Sequence, residues 1–199
     1  MSSSTHAATA EEFEWAPSLK IPILAMWTFL ASEVMFFGAL IGAYVILRSG
    51  LPAWPPAGDP ALPKGMTGIN TLILVASSFT FHWGHKGLLK GNVGTLKMGL
   101  LLTVLLGAVF LGIQANEWMG LIQEGLTPPK SIMGACFFTL TGFHGLHVLG
   151  GVVTLFIVWL KAGAGRYTQA NDTGVHMIGL YWHFVDVVWI ILYTSLYLM

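Results

Sequence analysis

Charge is what this sequence of 199 residues most lacks: Asp, Glu, Lys and Arg together make up 9% of it. A soluble domain carries about 25%. With 55% hydrophobic residues and a mean hydropathy of +0.71, the chain cannot cover a water-facing surface, and an integral membrane protein is the class that remains. The formal net charge is zero and no basic cluster occurs, which removes nucleic acid as a partner. Cysteine is nearly absent too. Cys136 stands alone in an apolar run, so there is no disulfide framework and no Cys-based metal site; it reads as a small buried apolar residue. The first 18 residues are rich in Ser, Ala and Thr, then acidic at Glu11, Glu12 and Glu14. They lack the positive start and cleavage pattern of a signal peptide and the arginines of a mitochondrial presequence. Residues 1–18 read as a polar tail, and 19–199 as the transmembrane domain.

What is present in abundance is long apolar runs. Crossing the hydrocarbon takes about 20 mostly apolar residues in a helix. Five segments qualify, at about 21–47, 67–88, 94–122, 132–160 and 175–198. Pro52 to Pro60 forms a turn-rich loop after the first, Thr127-Pro128-Pro129 separates the third from the fourth, and Gly163 to Thr173 the fourth from the fifth. The expected fold is an all-α bundle of five transmembrane helices. Lys20, Lys86, Lys90, Lys97, Lys161 and Arg166 fall on one side, against Arg48, Lys64 and Lys130 on the other. The Lys/Arg bias of short loops then places the N-terminus in the cytoplasm and the C-terminus outside. Helices in lipid pack through small residues, and Gly38/Gly42, Gly107 with Gly112, and Gly142/Gly145 with Gly150/Gly151 supply such faces. The Gly38/Gly42 pair reads as intrachain or subunit packing, with a dimer seam as the alternative.

Ionisable groups inside these runs are costly, about 2.5–3.5 kcal/mol for a carboxylate on insertion scales, and so need partners. His183 and Asp186 lie three apart on one helical face in Tyr181-Trp182-His183-Phe184-Val185-Asp186. Glu33 stands halfway along the first helix; it reads either as a proton-exchanging site or as a hydrogen-bonded acid that fixes packing. Glu117, in Gln114-Ala115-Asn116-Glu117-Trp118, reads as a capping or interfacial contact near the outer end of the third helix. Histidines also pair at a spacing of three, His82/His85 and His144/His147. Such pairs can share a metal ion on a helix face. Here no third and fourth ligand matches their depth, and Trp83 and Lys86 flank the first pair like an interfacial belt. A bis-histidine haem site would need facing histidines at equal depth, and only His183 is roughly level with the second pair. The remaining reading of His144, His147, His183 and Asp186 is a polar cluster between the last two helices, with Asp186 contacting one of the histidines. His6 and His176 carry no specific signal.

These motifs resemble subunit III of the haem–copper cytochrome c oxidases. The resemblance is carried by Ser32-Glu33-Val34-Met35-Phe36-Phe37, by Asn70-Thr71 with Ala76-Ser77-Ser78, and by Gln114-Ala115-Asn116-Glu117. It is carried most specifically by Thr141-Gly142-Phe143-His144-Gly145-Leu146-His147-Val148 and by Tyr181 to Trp189. The motifs lie in order over about 180 residues. The full-length family form has seven crossings, and this chain is similar to its last five, as in a short bacterial type.

The resemblance implies an accessory subunit of a proton-pumping oxidase in the bacterial cytoplasmic membrane. It implies no redox centre or metal in this chain, with haems and copper in subunits I and II. Such a subunit packs mainly against subunit I, also meets subunit II, holds phospholipids and supports proton uptake; membership of a respiratory supercomplex stays open. By motif, Glu33 matches the family's membrane-buried glutamate. Lys161 and Arg166 match a region whose basic groups meet lipid phosphates. His144, His147, His183 and Asp186 match positions that hold helices together. The alternatives are a quinol oxidase subunit III, a similar protein associated with nitric oxide reductases and, from another class, a free-standing proton channel or a b-type cytochrome. The electron donor, the partners' haem types and whatever replaces the missing helix pair are not legible in the sequence.

Overall fold

A computed structural model describes residues 21–199, so the expected polar tail, Lys20 and His6 lie outside the described residues. The described chain contains α1 (Ile21–Ser49), α2 (Lys64–Leu89), α3 (Val93–Gln123), α4 (Ile132–Gly163) and α5 (Thr173–Tyr193). A π-helical turn, Thr194–Leu198, carries α5 to the end of the chain. The ends depart from the expected bounds by a few residues, most at Lys64, where α2 begins directly after Pro63. Proline cannot continue a helix backwards but fits well at its start. Asn92 and Ser131 start α3 and α4 by accepting the backbone N–H groups of Thr95 (3.0 Å) and Gly134 (3.3 Å). Gly91, at φ +79°, makes the tight turn between α2 and α3.

Four helices, α1, α3, α4 and α5 with its terminal turn, are long and apolar enough to cross a membrane. By the same composition test α2 falls short. Its polar side chains explain why, because they are engaged within the bundle. Thr67 bonds to Glu117, Asn70 to the Phe110 carbonyl and Thr80 to Thr103, all on α3. Thr71 and Ser77 accept the indole N–H groups of Trp189 and Trp182, and Ser78 donates to Asp186, all on α5. Polar groups away from water must satisfy one another, and α2 is where α3 and α5 find their partners.

The helices alternate in direction. At one end Arg48 reaches the carbonyls of Ser195 and Met199, Asp59 meets Ser131, and Tyr193 bonds to the Lys64 carbonyl. At the other, His85 of α2 meets Asp172 just before α5. Lys86, Lys90, Lys97, Lys161 and Arg166 gather at this second end. The helix α5 is the centre of the bundle, packed on α1, α2 and α4. Its Trp182 and Trp189 are fully buried.

Glycine sets the closest approaches. A methyl group on Gly99 would come within 2.6 Å of the Gly84 Cα, so α2 and α3 touch backbone to backbone. Trp182 lies over Gly107 and Gly151 in the same way, at 2.9 and 2.7 Å from the position of a Cβ. Of the expected intrachain or subunit packing at Gly38 and Gly42, the intrachain part is not found: among the described residues nothing lies within 4 Å of a Cβ at either. Their face of α1 points away from the bundle, because α1 packs on α4 and α5 through Leu30, Phe37 and Tyr44.

Candidate functional site

Three separate polar arrangements occupy the positions singled out from sequence. The first joins α5 to α2. Asp186 is 5% exposed and accepts the Ser78 hydroxyl, and Ser78 Oγ also lies 2.8 Å from His183 Nδ1. The expected contact from Asp186 to a histidine therefore runs through a serine of α2. The spacing of three does put His183 and Asp186 on one face, but that face meets α2, while His144 and His147 belong to α4. A serine within an apolar helix was the signal that could have located this partner, since its hydroxyl must find an acceptor.

The second arrangement joins α1 to α4. Glu33 Oε2 lies 3.0 Å from His147 Nε2, and the two side chains are 17% and 19% exposed. His147 Nδ1 is 2.7 Å from the Phe143 carbonyl, and Tyr181 donates to the His147 carbonyl at 2.9 Å. A carbonyl can only accept, so Nδ1 carries a hydrogen. One further proton then decides the pair: it sits on Glu33, which donates to Nε2, or on Nε2, which donates to the carboxylate. Glu33 is thus hydrogen-bonded to a histidine of another helix.

His144 forms the third. It is 1% exposed, its ring stacks on Trp189 at 4.8 Å, and the edge of Phe110 lies at 6.0 Å. Neither ring nitrogen has a hydrogen-bond partner. The expected single cluster of His144, His147, His183 and Asp186 is therefore divided: His183 and Asp186 meet α2, His147 meets α1 and His144 lies against α5.

Glu117 differs from the expected cap or interfacial contact. It is buried, accepting from Thr67 at 3.0 Å and from Tyr197 at 2.7 Å. The terminal turn of the chain folds Tyr197 back onto it, a long-range contact that no local spacing reveals. His85 meets Asp172 at 3.3 Å, whereas His82 is exposed. Among the described residues no three of His, Cys, Asp and Glu come together as a metal-ligand group. Lys161 and Arg166 are exposed and line one cavity of about 630 Å³ with Leu160, Ala164, Tyr167 and Asn171. Two cations over an apolar floor suit an amphiphile with an anionic head.

The family model described as cytochrome c oxidase subunit III matches residues 17–199. The chain is 40% identical to cytochrome c oxidase subunit 3 of Thermostichus vulcanus, over 89% of this chain and 87% of that one. It is 40% identical to the protein of the same name from Synechocystis sp., over 86% of this chain and 72% of that one. It is also 37% identical to a probable cytochrome c oxidase subunit 3 of Nocardia farcinica, over 84% and 83% of the two chains. Family match, identities and coverage lead to one conclusion: the chain belongs to the cytochrome c oxidase subunit III family.

Proposed function

We propose that the chain is the accessory subunit III of a proton-pumping haem–copper cytochrome c oxidase in the bacterial cytoplasmic membrane. In this reading all five helices cross the bilayer, with the N-terminus in the cytoplasm and the C-terminus outside. The chain carries no redox centre, packs mainly against subunit I, also meets subunit II, holds phospholipid at Lys161 and Arg166, and supports proton uptake through Glu33. The observation that carries the reading is the family match over residues 17–199. The geometry supports the accessory role. His147 uses both ring nitrogens, with Glu33 and the Phe143 carbonyl, and His144 lies flat against Trp189.

Purification of the native complex with mass identification of its partners tests the assignment. Haem–copper subunits I and II should co-purify with the chain; a nitric oxide reductase or no partner at all would overturn it. A haem spectrum of the stringently purified chain tests the accessory role. Haem absorbance retained by the chain alone would favour a b-type cytochrome.

A further inference from the structure

The seam between α2 and α5 holds a file of ionisable groups that the helix-packing account does not require. It begins at Asp172, just before α5, with His85 at 3.3 Å. The ring centroid of His85 lies 6.0 Å from that of His176, and His82 stands one turn earlier on α2. Phe81 comes next, 6.2 Å from His85 and 5.8 Å from His183, ring to ring. His183 Nδ1 then meets Ser78 Oγ at 2.8 Å, and the Ser78 hydroxyl meets Asp186. Asp186 Oδ1 has no hydrogen-bond partner among the described residues. Asp172 and Asp186 are separated by about 20 Å along the helix axis at the usual rise per residue.

We propose that the inner end of this seam, His183–Ser78–Asp186, is a proton-binding branch that ends on the Asp186 carboxylate. The last step balances. A proton arrives at His183 Nε2 and makes an imidazolium; the Nδ1 proton passes to Ser78 Oγ, and the Ser78 hydroxyl proton passes to Asp186 Oδ2. Ser78 is unchanged, His183 is left as the Nε2–H tautomer, and Asp186 becomes a neutral acid. Titratable groups of the other helices are engaged elsewhere: Glu33 of α1 with His147 of α4, Glu117 of α3 with Tyr197, and His144 of α4 against Trp189. The inference deepens the proton-uptake part of the proposed function and adds a route apart from Glu33.

The test is hydrogen–deuterium exchange of the protonated carboxylic acid band, followed by infrared spectroscopy on the full chain in lipid nanodiscs. Labelling Asp with ¹³C separates its bands from those of Glu, and the chain contains Asp59, Asp172 and Asp186 as its only aspartates. A buried Asp band should be present near neutral pH and vanish in Asp186→Asn. In Ser78→Ala and His183→Phe, which keep Asp186, its exchange should slow about a hundredfold, the scale of a lost proton carrier. In His144→Phe, outside the file, the rate should not change. An Asp186 band exchanging equally fast in Ser78→Ala and His183→Phe overturns the branch, as does the absence of any such band. Since the isolated chain is used, failure here would leave the subunit assignment standing.

Discussion

Glu33 Oε2 of α1 lies 3.0 Å from His147 Nε2 of α4, and this bond is the one polar tie of α1 to α4 across the apolar midsection among the described residues. Aromatic contacts surround it, Phe36 against Phe143 at 5.1 Å and Phe37 against the His147 ring at 5.1 Å. Helix α1 is otherwise lightly held, with most of its surface facing outward. Glu33→Gln keeps a donor and an acceptor at the same place but cannot exchange the shared proton. The complex should assemble with unchanged haem spectra, and turnover should at most slow or last for fewer cycles. Oxygen-consumption traces read this, and loss of all electron transfer in a correctly assembled complex would refute the accessory role.

Asp186→Ala should loosen the association of α2 with α5 and, with it, retention of the chain in the complex. It removes the acceptor of the Ser78 hydroxyl, which keeps His183 Nδ1 as a partner at 2.8 Å, at a cost of about 0.5–1.5 kcal/mol. Haem spectra should stay the same. Subunit stoichiometry after detergent washing is the measurement, and retention equal to wild type would count against a packing role.

Glycine substitutions should divide sharply. Gly151→Ala and Gly107→Ala place a methyl group 2.7 and 2.9 Å from the Trp182 ring, and overpacking of this kind costs about 1–3 kcal/mol. Gly38→Ala and Gly42→Ala meet nothing within 4 Å. Thermal unfolding of the chain in detergent should drop for the first pair and hold for the second. If Gly38→Leu also leaves unfolding unchanged yet weakens retention in the complex, the open face of α1 is a subunit contact.

Tyr197→Phe removes the donor to a buried carboxylate at 2.7 Å, leaving Thr67 as its remaining partner. A destabilisation of about 1–3 kcal/mol is expected for the lost bond. Glu117→Gln, which can still accept from Tyr197, should be milder. Proteolysis of the C-terminal turn reads the difference, because Tyr197 holds that turn down together with Tyr44 and Arg48.

At the other end, the double variant Lys161→Ala, Arg166→Ala should lower the number of anionic phospholipids retained on the complex. Native mass spectrometry counts them. An unchanged count would place the bound lipid elsewhere.

The sequence by itself determined an all-helical chain with five long apolar runs, whose expected ends differ from the helices by a few residues. The reason is that lipid imposes long apolar runs, and those runs are broken by Pro and Gly where the chain must turn. It also marked the costly residues, Glu33, His147, His183 and Asp186, since an ionisable group at membrane depth stands out against its neighbours. What only the tertiary structure decided was the pairing. Asp186 bonds to Ser78, Glu33 to His147 and Glu117 to Tyr197, each across helices distant in the chain. Spacing along one helix fixes which face a residue lies on, but which neighbour covers that face depends on how five helices pack. The low hydropathy of α2 shows the same division. In sequence it reads as one of five spans; in the fold it is less apolar than the other four and is the helix whose hydroxyls and Asn70 amide satisfy α3 and α5.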